Sequence, residues 1–142
     1  MKEPTVSVVR HFSIDAGHRV FGHESKCAHP HGHTYGIEVH ARADALDALG
    51  RVVDFSVLKG TIGTWLDAHW DHAFLVNVDD KELVDTLLRI SSRVFLMPNN
   101  PTAENMALYL LRLCTSVLVL PGFEVFKVVV QETPNCRAEA VQ

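Results

Sequence analysis

Between Thr34 and Ala43 the chain alternates strictly. Tyr35, Ile37, Val39, Ala41 and Ala43 fall on one parity, and Glu38, His40 and Arg42 on the other. A period of two describes a β-strand with one packed and one polar face. Val6 to Ile14, β-branched and aromatic and ending near Gly17, predicts a strand before it. The period then changes. Phe55, Leu58, Ile62, Trp65, Leu66 and His69 recur at helical spacing behind Asp54, whose carboxylate is placed to cap free amides. Gly60 and Gly63 weaken this helix slightly. A short helix is expected over Lys81 to Ile90, capped by Asp80. A second long helix carries Ala103, Met106, Ala107, Leu110, Leu111 and Cys114 on its stripe, with Asn100 expected as the cap and Pro101 in the first position, where no amide donor is needed. "EVFKVVVQE" then reads as a strand apolar on both faces, and "RAEAV" as its partner across the turn at Pro134 and Asn135.

Hairpins at both ends with helices between them predict an α+β fold: an antiparallel sheet with two main helices on one face. A length of 142 residues, 47% of them hydrophobic, suits a single domain over 1–142, and no repeat, linker or low-complexity segment interrupts it. Net charge changes the picture little. At −4 it offers no basic field for nucleic acid or an anionic membrane, and the longest apolar runs are too short to cross a bilayer. Three cysteines, Cys27, Cys114 and Cys136, are too few and odd in number for a disulfide framework. With no apolar core of signal-peptide length in "MKEPTVSVVRHF", a soluble cytoplasmic protein is expected.

Candidate chemistry is concentrated in "CAHPHGH", Cys27 to His33. His31 and His33 lie two apart at the entry to a strand, so both imidazoles project from one face. His18, just after the first strand, is the best third ligand. Three neutral imidazoles with an open position form a catalytic zinc arrangement. On spacing alone, a pair of surface histidines satisfies the pattern equally. Cys27 is either a fourth ligand closing a structural site or a free thiol near a cation, with thiolate available as base or nucleophile. His11, His23, His29, His40 and His69 have ordinary readings as surface or partly buried side chains. Cys114 lies on an apolar helical stripe and belongs to the core, and Cys136 sits in a turn.

Taken together, "FSIDAGH", "KCAHPHGHTY", "VVDFSVLK", "WDHAFL", "NPTAEN" and "QET" resemble, in that order, the 6-pyruvoyltetrahydropterin and 6-carboxytetrahydropterin synthase superfamily over nearly the whole chain. The resemblance implies a tunnelling fold whose sheets close into a barrel as homo-oligomers, trimers or stacked pairs of trimers, with active sites between subunits. It implies a small-molecule pterin substrate and a zinc ion held by His18, His31 and His33. Cys27 matches the catalytic thiol, Asp71 and His72 its partner pair, and Glu132 the carboxylate that anchors the pterin ring. Thr102 and Glu104 line the pterin pocket by the same matching, though capping of the helix explains them nearly as well. Lys26 and Arg19 are candidates for touching a triphosphate tail. Without the resemblance, "WDH" reads as a helix end and a loop.

The spacing Cys-x-x-x-His-x-His resembles that of the bacterial 6-carboxytetrahydropterin synthases of queuosine and deazapurine biosynthesis. It implies a lyase that cleaves 7,8-dihydroneopterin triphosphate to 6-carboxytetrahydropterin, acetaldehyde and triphosphate. The pyruvoyl-type enzymes, with a longer insertion, eliminate triphosphate without cleaving the side chain. A non-catalytic zinc module using Cys27 as a ligand, and an aldolase-like enzyme needing neither zinc nor the thiol, are the other classes. Gly17 stands where alanine is common in the family, and Lys81 to Pro98 is longer than in its shortest members, which bears on the rim of the pocket.

Overall fold

The structure is a computed structural model that describes Met1, residues 4–90 and residues 93–142. Ser91 and Ser92, inside the stretch Lys81 to Pro98, lie outside the described residues. Strands β1 (Ser7–His18) and β2 (His31–Ala43) pair antiparallel from Ser7 opposite Arg42 to His18 opposite His31. Both strands therefore run further than the alternation alone outlined, and all three histidines of the sequence pattern sit at one end of the ladder. Strand β5 (Phe123–Thr133) joins the far side of β2, and β6 (Cys136–Val141) joins β5, both antiparallel. On β2 the inward set Tyr35, Ile37, Val39 and Ala41 is fully buried.

Two strands escaped the sequence reading. Strands β3 (Ala73–Asn77) and β4 (Val94–Met97) add parallel to the free side of β1, giving the order β4-β3-β1-β2-β5-β6. The sheet is therefore mixed, with an antiparallel four-stranded part and a parallel extension. Strand β3 gave no alternation because both its faces are covered. Leu75 enters the main core while Val76 packs with Leu83 and Leu87 of α3 (Lys81–Arg89) in a separate apolar cluster. "WDH" is accordingly the turn that follows a helix end, as read without the resemblance, but that turn leads directly into a strand the sequence reading lacked.

Asp54 caps the helical segment at residues 55–69 through the amide of Ser56, as expected. That segment is not one regular helix. Between α1 (Phe55–Leu58) and α2 (Thr64–His69) lies a π-helical stretch, Lys59–Gly63, containing both glycines. Leu58, Ile62 and Leu66 bury the stripe, whereas Phe55 and His69 at its ends are exposed. Asp80 caps α3 through Leu83 N and is itself 1% exposed.

Helix α4 (Ala103–Val117) buries Met106, Ala107, Leu110 and Cys114 completely against β5 and β6. Its cap is Thr102, whose side chain accepts from Asn105 N; the expectation of Asn100 and of Pro101 in the first turn is corrected. Asn100 is occupied elsewhere. Its side chain accepts from Phe21 N at 3.0 Å and donates to Phe21 O at 2.9 Å, clamping the loop after β1, and also accepts from Asn77. No described helix is long and apolar enough to cross a membrane.

Candidate functional site

Pairing of β1 with β2 sets the site. Because His18 lies opposite His31, and His33 follows two residues on, one atom from each of these three side chains falls within 4.8 Å of the others. The ring orientations are fixed from behind. His18 Nδ1 donates to the carbonyl of Pro101 at 2.6 Å, and His31 Nδ1 donates to the carbonyl of His29 at 2.6 Å. A carbonyl only accepts, so each Nδ1 carries the proton and each Nε2 carries a lone pair. Those two lone-pair nitrogens face each other at 3.1 Å. His33 Nε2 is buried and has no hydrogen-bond partner.

Such a cluster of unsatisfied acceptors fits a cation. Zinc–nitrogen bonds of about 2.0–2.1 Å set tetrahedral ligand atoms roughly 3.3–3.4 Å apart, close to the separation seen between His18 and His31. Burial pushes His18 below the ordinary imidazole range, against the opposing effect of its Pro101 bond, and the neighbouring imidazoles push the same way as burial. His33 is lowered first by burial, with Glu132 opposing. Both shifts favour the neutral form that ligates a metal.

Glu132, near the end of β5, reaches the same cluster: its Oε1 lies 3.4 Å from both His18 Nε2 and His33 Nε2. Tyr35, the next inward residue on β2, packs edge-on to His18 and His33 with its hydroxyl buried and unpartnered. Burial, then the charge of Glu132, raises that phenol well above its usual range. Cys27 is half-buried on a short 3-10 turn, Lys26–Ala28, and is not one of the residues grouped within 4.8 Å. Its carbonyl accepts from Val20 N at 2.7 Å, which ties the turn back to the end of β1.

Asp71 and His72 form a second group, at the corner entering β3. Asp71 Oδ2 lies 3.1 Å from His72 Nδ1, and Asp71 Oδ1 accepts from Asp15 N at 3.0 Å. His72 N donates to Asp15 O at 2.7 Å, and His72 adopts a left-handed backbone, φ 57°, that side-chain-bearing residues seldom take. Burial works against the charge of Asp71, but hydrogen bonds from Asp15 N and from His72 outweigh it and hold the carboxyl below its usual range. The His72 side chain is 73% exposed. An open cleft of about 750 Å³ connects the groups, with His31, His33 and His72 all on its wall beside Asp15, Phe74 and Arg93.

Other residues matched from the resemblance are placed differently. Thr102 spends its hydroxyl on the α4 cap, and Glu104 is exposed in the first turn of that helix. Arg19 is not free for a ligand: its Nε and Nη2 form a two-point bond to buried Asp80 at 2.6 and 2.5 Å. Lys26 is exposed. Cys114 is fully buried, its thiol pushed up to about 12 by burial, and Cys136 is exposed. Sequence reasoning missed the backbone acceptors Pro101 and His29, which carry no residue-type signal, and the cleft residues Asp15 and Arg93.

Residues 7–142 match the family model described as 6-pyruvoyl tetrahydropterin synthase. A 6-carboxy-5,6,7,8-tetrahydropterin synthase of Rickettsia felis is 37% identical over 136 residues, covering 94% of this chain and 99% of that protein. Among solved structures, an uncharacterized protein from Wolinella succinogenes superposes with a TM-score of 0.84 at 24% identity, covering 99% of each chain. The 6-pyruvoyl tetrahydropterin synthase of Caenorhabditis elegans superposes with a TM-score of 0.73 at 26% identity, covering 100% of this chain and 99% of that one.

Proposed function

The chain belongs to the 6-pyruvoyl tetrahydropterin synthase family, and on that premise we propose that it is a zinc-dependent 6-carboxytetrahydropterin synthase. Its substrate is 7,8-dihydroneopterin triphosphate, and its products are 6-carboxytetrahydropterin, acetaldehyde and triphosphate. The observation that carries the reading is the facing pair of Nε2 lone pairs at 3.1 Å, backed by two carbonyl anchors, with the free thiol of Cys27 outside the group.

His18, His31 and His33 hold the ion. When bound, zinc supplies Lewis-acid polarisation of the substrate's side-chain oxygens. The chain's own groups do the rest. Asp71 takes the Nδ1 proton of His72 in a hydrogen bond, which leaves Nε2 as the base facing the cleft. Cys27 serves as the second proton-moving group, tethered beside the end of β1. Glu132 accepts the paired N–H donors of the pterin edge, a two-point charged bond. Thr102 contributes through the α4 cap that its hydroxyl builds, and Glu104 through its charge in the first turn of that helix.

Subunits assemble as a homotrimer or hexamer. Residues 7–15 of β1 have no second neighbour strand among the described residues, and β6 has an open outer edge. Pairing one open edge to the other closes a barrel and removes both from solvent.

Incubating zinc-assayed protein with dihydroneopterin triphosphate and assaying acetaldehyde tests the reaction. Triphosphate without acetaldehyde assigns the pyruvoyl-type reaction instead. Cys27→Ser separates the remaining classes: the lyase reading expects full zinc content and turnover reduced about a thousandfold or more. Loss of zinc in that variant would make Cys27 a ligand and the site a closed structural one.

A further inference from the structure

The cleft that joins the imidazole cluster to His72 has a cation on its wall that no part of the proposed chemistry uses. Arg93, the residue before β4, donates from Nη2 to the carbonyls of Ala68 at 2.7 Å and Asp67 at 3.2 Å, in the last turn of α2. Among the described residues its guanidinium hydrogen bonds run from Nη2 alone, leaving Nε and Nη1 as donors. The anchoring matters as much as the charge. A guanidinium already held by two carbonyls loses little freedom when it takes up an anion.

Its position is built by neighbours that shape the same cleft. The Arg93 carbonyl accepts from Phe74 N at 2.7 Å, so the strand entering at His72 fixes the backbone of Arg93. The Phe74 ring leans on Gly17, where an added Cβ would meet it at 2.5 Å. One acidic side chain, Asp15, shares the wall, and its Oδ1 accepts from the Thr34 hydroxyl. The other arginine near the site, Arg19, is neutralised by Asp80.

We propose that Arg93 is the anchor for the phosphate tail of the substrate, binding it in the cleft beside His72. The assignment rests on the reading of a triphosphorylated substrate.

The test uses inorganic tripolyphosphate as the probe, titrated calorimetrically into zinc-loaded protein, beside unphosphorylated dihydroneopterin. Arg93→Gln is expected to weaken tripolyphosphate binding about ten- to a hundredfold while leaving dihydroneopterin binding unchanged. In turnover it raises KM and spares kcat. Arg93→Lys, which keeps the charge but not the fork, restores part of the affinity. Unchanged tripolyphosphate binding in Arg93→Gln overturns the proposal. Equal loss of both ligands with a lowered melting temperature also overturns it, by making Arg93 a structural clasp. If tripolyphosphate binds in an Arg93-dependent way but dihydroneopterin triphosphate is not turned over, the subsite stands and the substrate reading falls.

Discussion

The antiparallel strands β1, β2, β5 and β6 and the parallel strands β3 and β4 share one sheet but bury their residues differently. On β2 one face is packed and apolar and the other polar and half-buried, with Ile37 and Val39 fully buried while Glu38 and His40 sit on the opposite side. On β3 adjacent residues are both buried, Leu75 in the main core and Val76 under α3. The candidate functional groups divide along the same line. The antiparallel part holds an imidazole cluster whose rings are backed by carbonyls and by buried neighbours. The parallel extension holds an exposed dyad and an arginine at a cleft. Ion binding needs ligands ordered in advance, whereas proton transfer and anion capture need groups that a substrate can reach.

The sharpest way to break that division is at the ladder's end. His33→Ala is expected to abolish zinc retention, lowering affinity by more than about a hundredfold, while the sheet still folds, because His33 lies at the end of the strand and not in its apolar run. Metal analysis after chelator competition, alongside circular dichroism, checks this. Zinc retained at one per chain would mean the ion sits elsewhere.

In the parallel extension the largest single effect is expected at the buried ion pair. Asp80→Asn removes the charge that Arg19 is paired with and weakens the cap of α3, a loss of about 2–4 kcal/mol in urea unfolding. The hydrogen bonds from Arg19, countered by burial, hold the Asp80 carboxyl below its ordinary value. Its contribution is thus complete above the unfolded carboxylate pKa of about 3.9 and is lost as pH falls through the lower folded value. The wild-type protein should show this acid-side decline and Asp80→Asn should show less of it. Identical acid limbs would place the linkage on other carboxylates.

A smaller effect separates the two apolar clusters. Leu87→Ala, in the three-residue cluster under α3, should cost about 2 kcal/mol, at the low end for such truncations, because the residue retains some exposure and the site can relax. Amide exchange should quicken in α3 and β4 while β2 and β5 stay protected. Uniform acceleration across the sheet would show that the extension does not open separately.

Much of the antiparallel part was legible because a half-wet sheet writes its geometry as alternation. The three histidines were only half legible: two on one strand face plus one on the neighbouring strand fit a metal and a wet surface equally, and the resemblance of the six motifs decided between them. The parallel part was not. "AFLVN" and "VFLM" are short apolar runs covered on both faces, which periodicity cannot distinguish from buried helix. The α4 cap was misplaced by two residues because Asn100 and Thr102 are both good capping types. Only the tertiary clamp of Asn100 on Phe21 decides between them. Arg19 was misjudged for the same reason, since its partner Asp80 lies sixty-one residues away.

The carbonyl that steadies His18 belongs to Pro101, one residue before the cap of the helix that packs its buried stripe against β5 and β6. A cation held by the imidazole cluster would therefore couple its own occupancy to the seating of that helix: whatever favours one would favour the other. Removing a cation held at that cluster would loosen the start of α4, and a sequence change that frays that start would raise such a cation's escape rate without touching any of the three histidines.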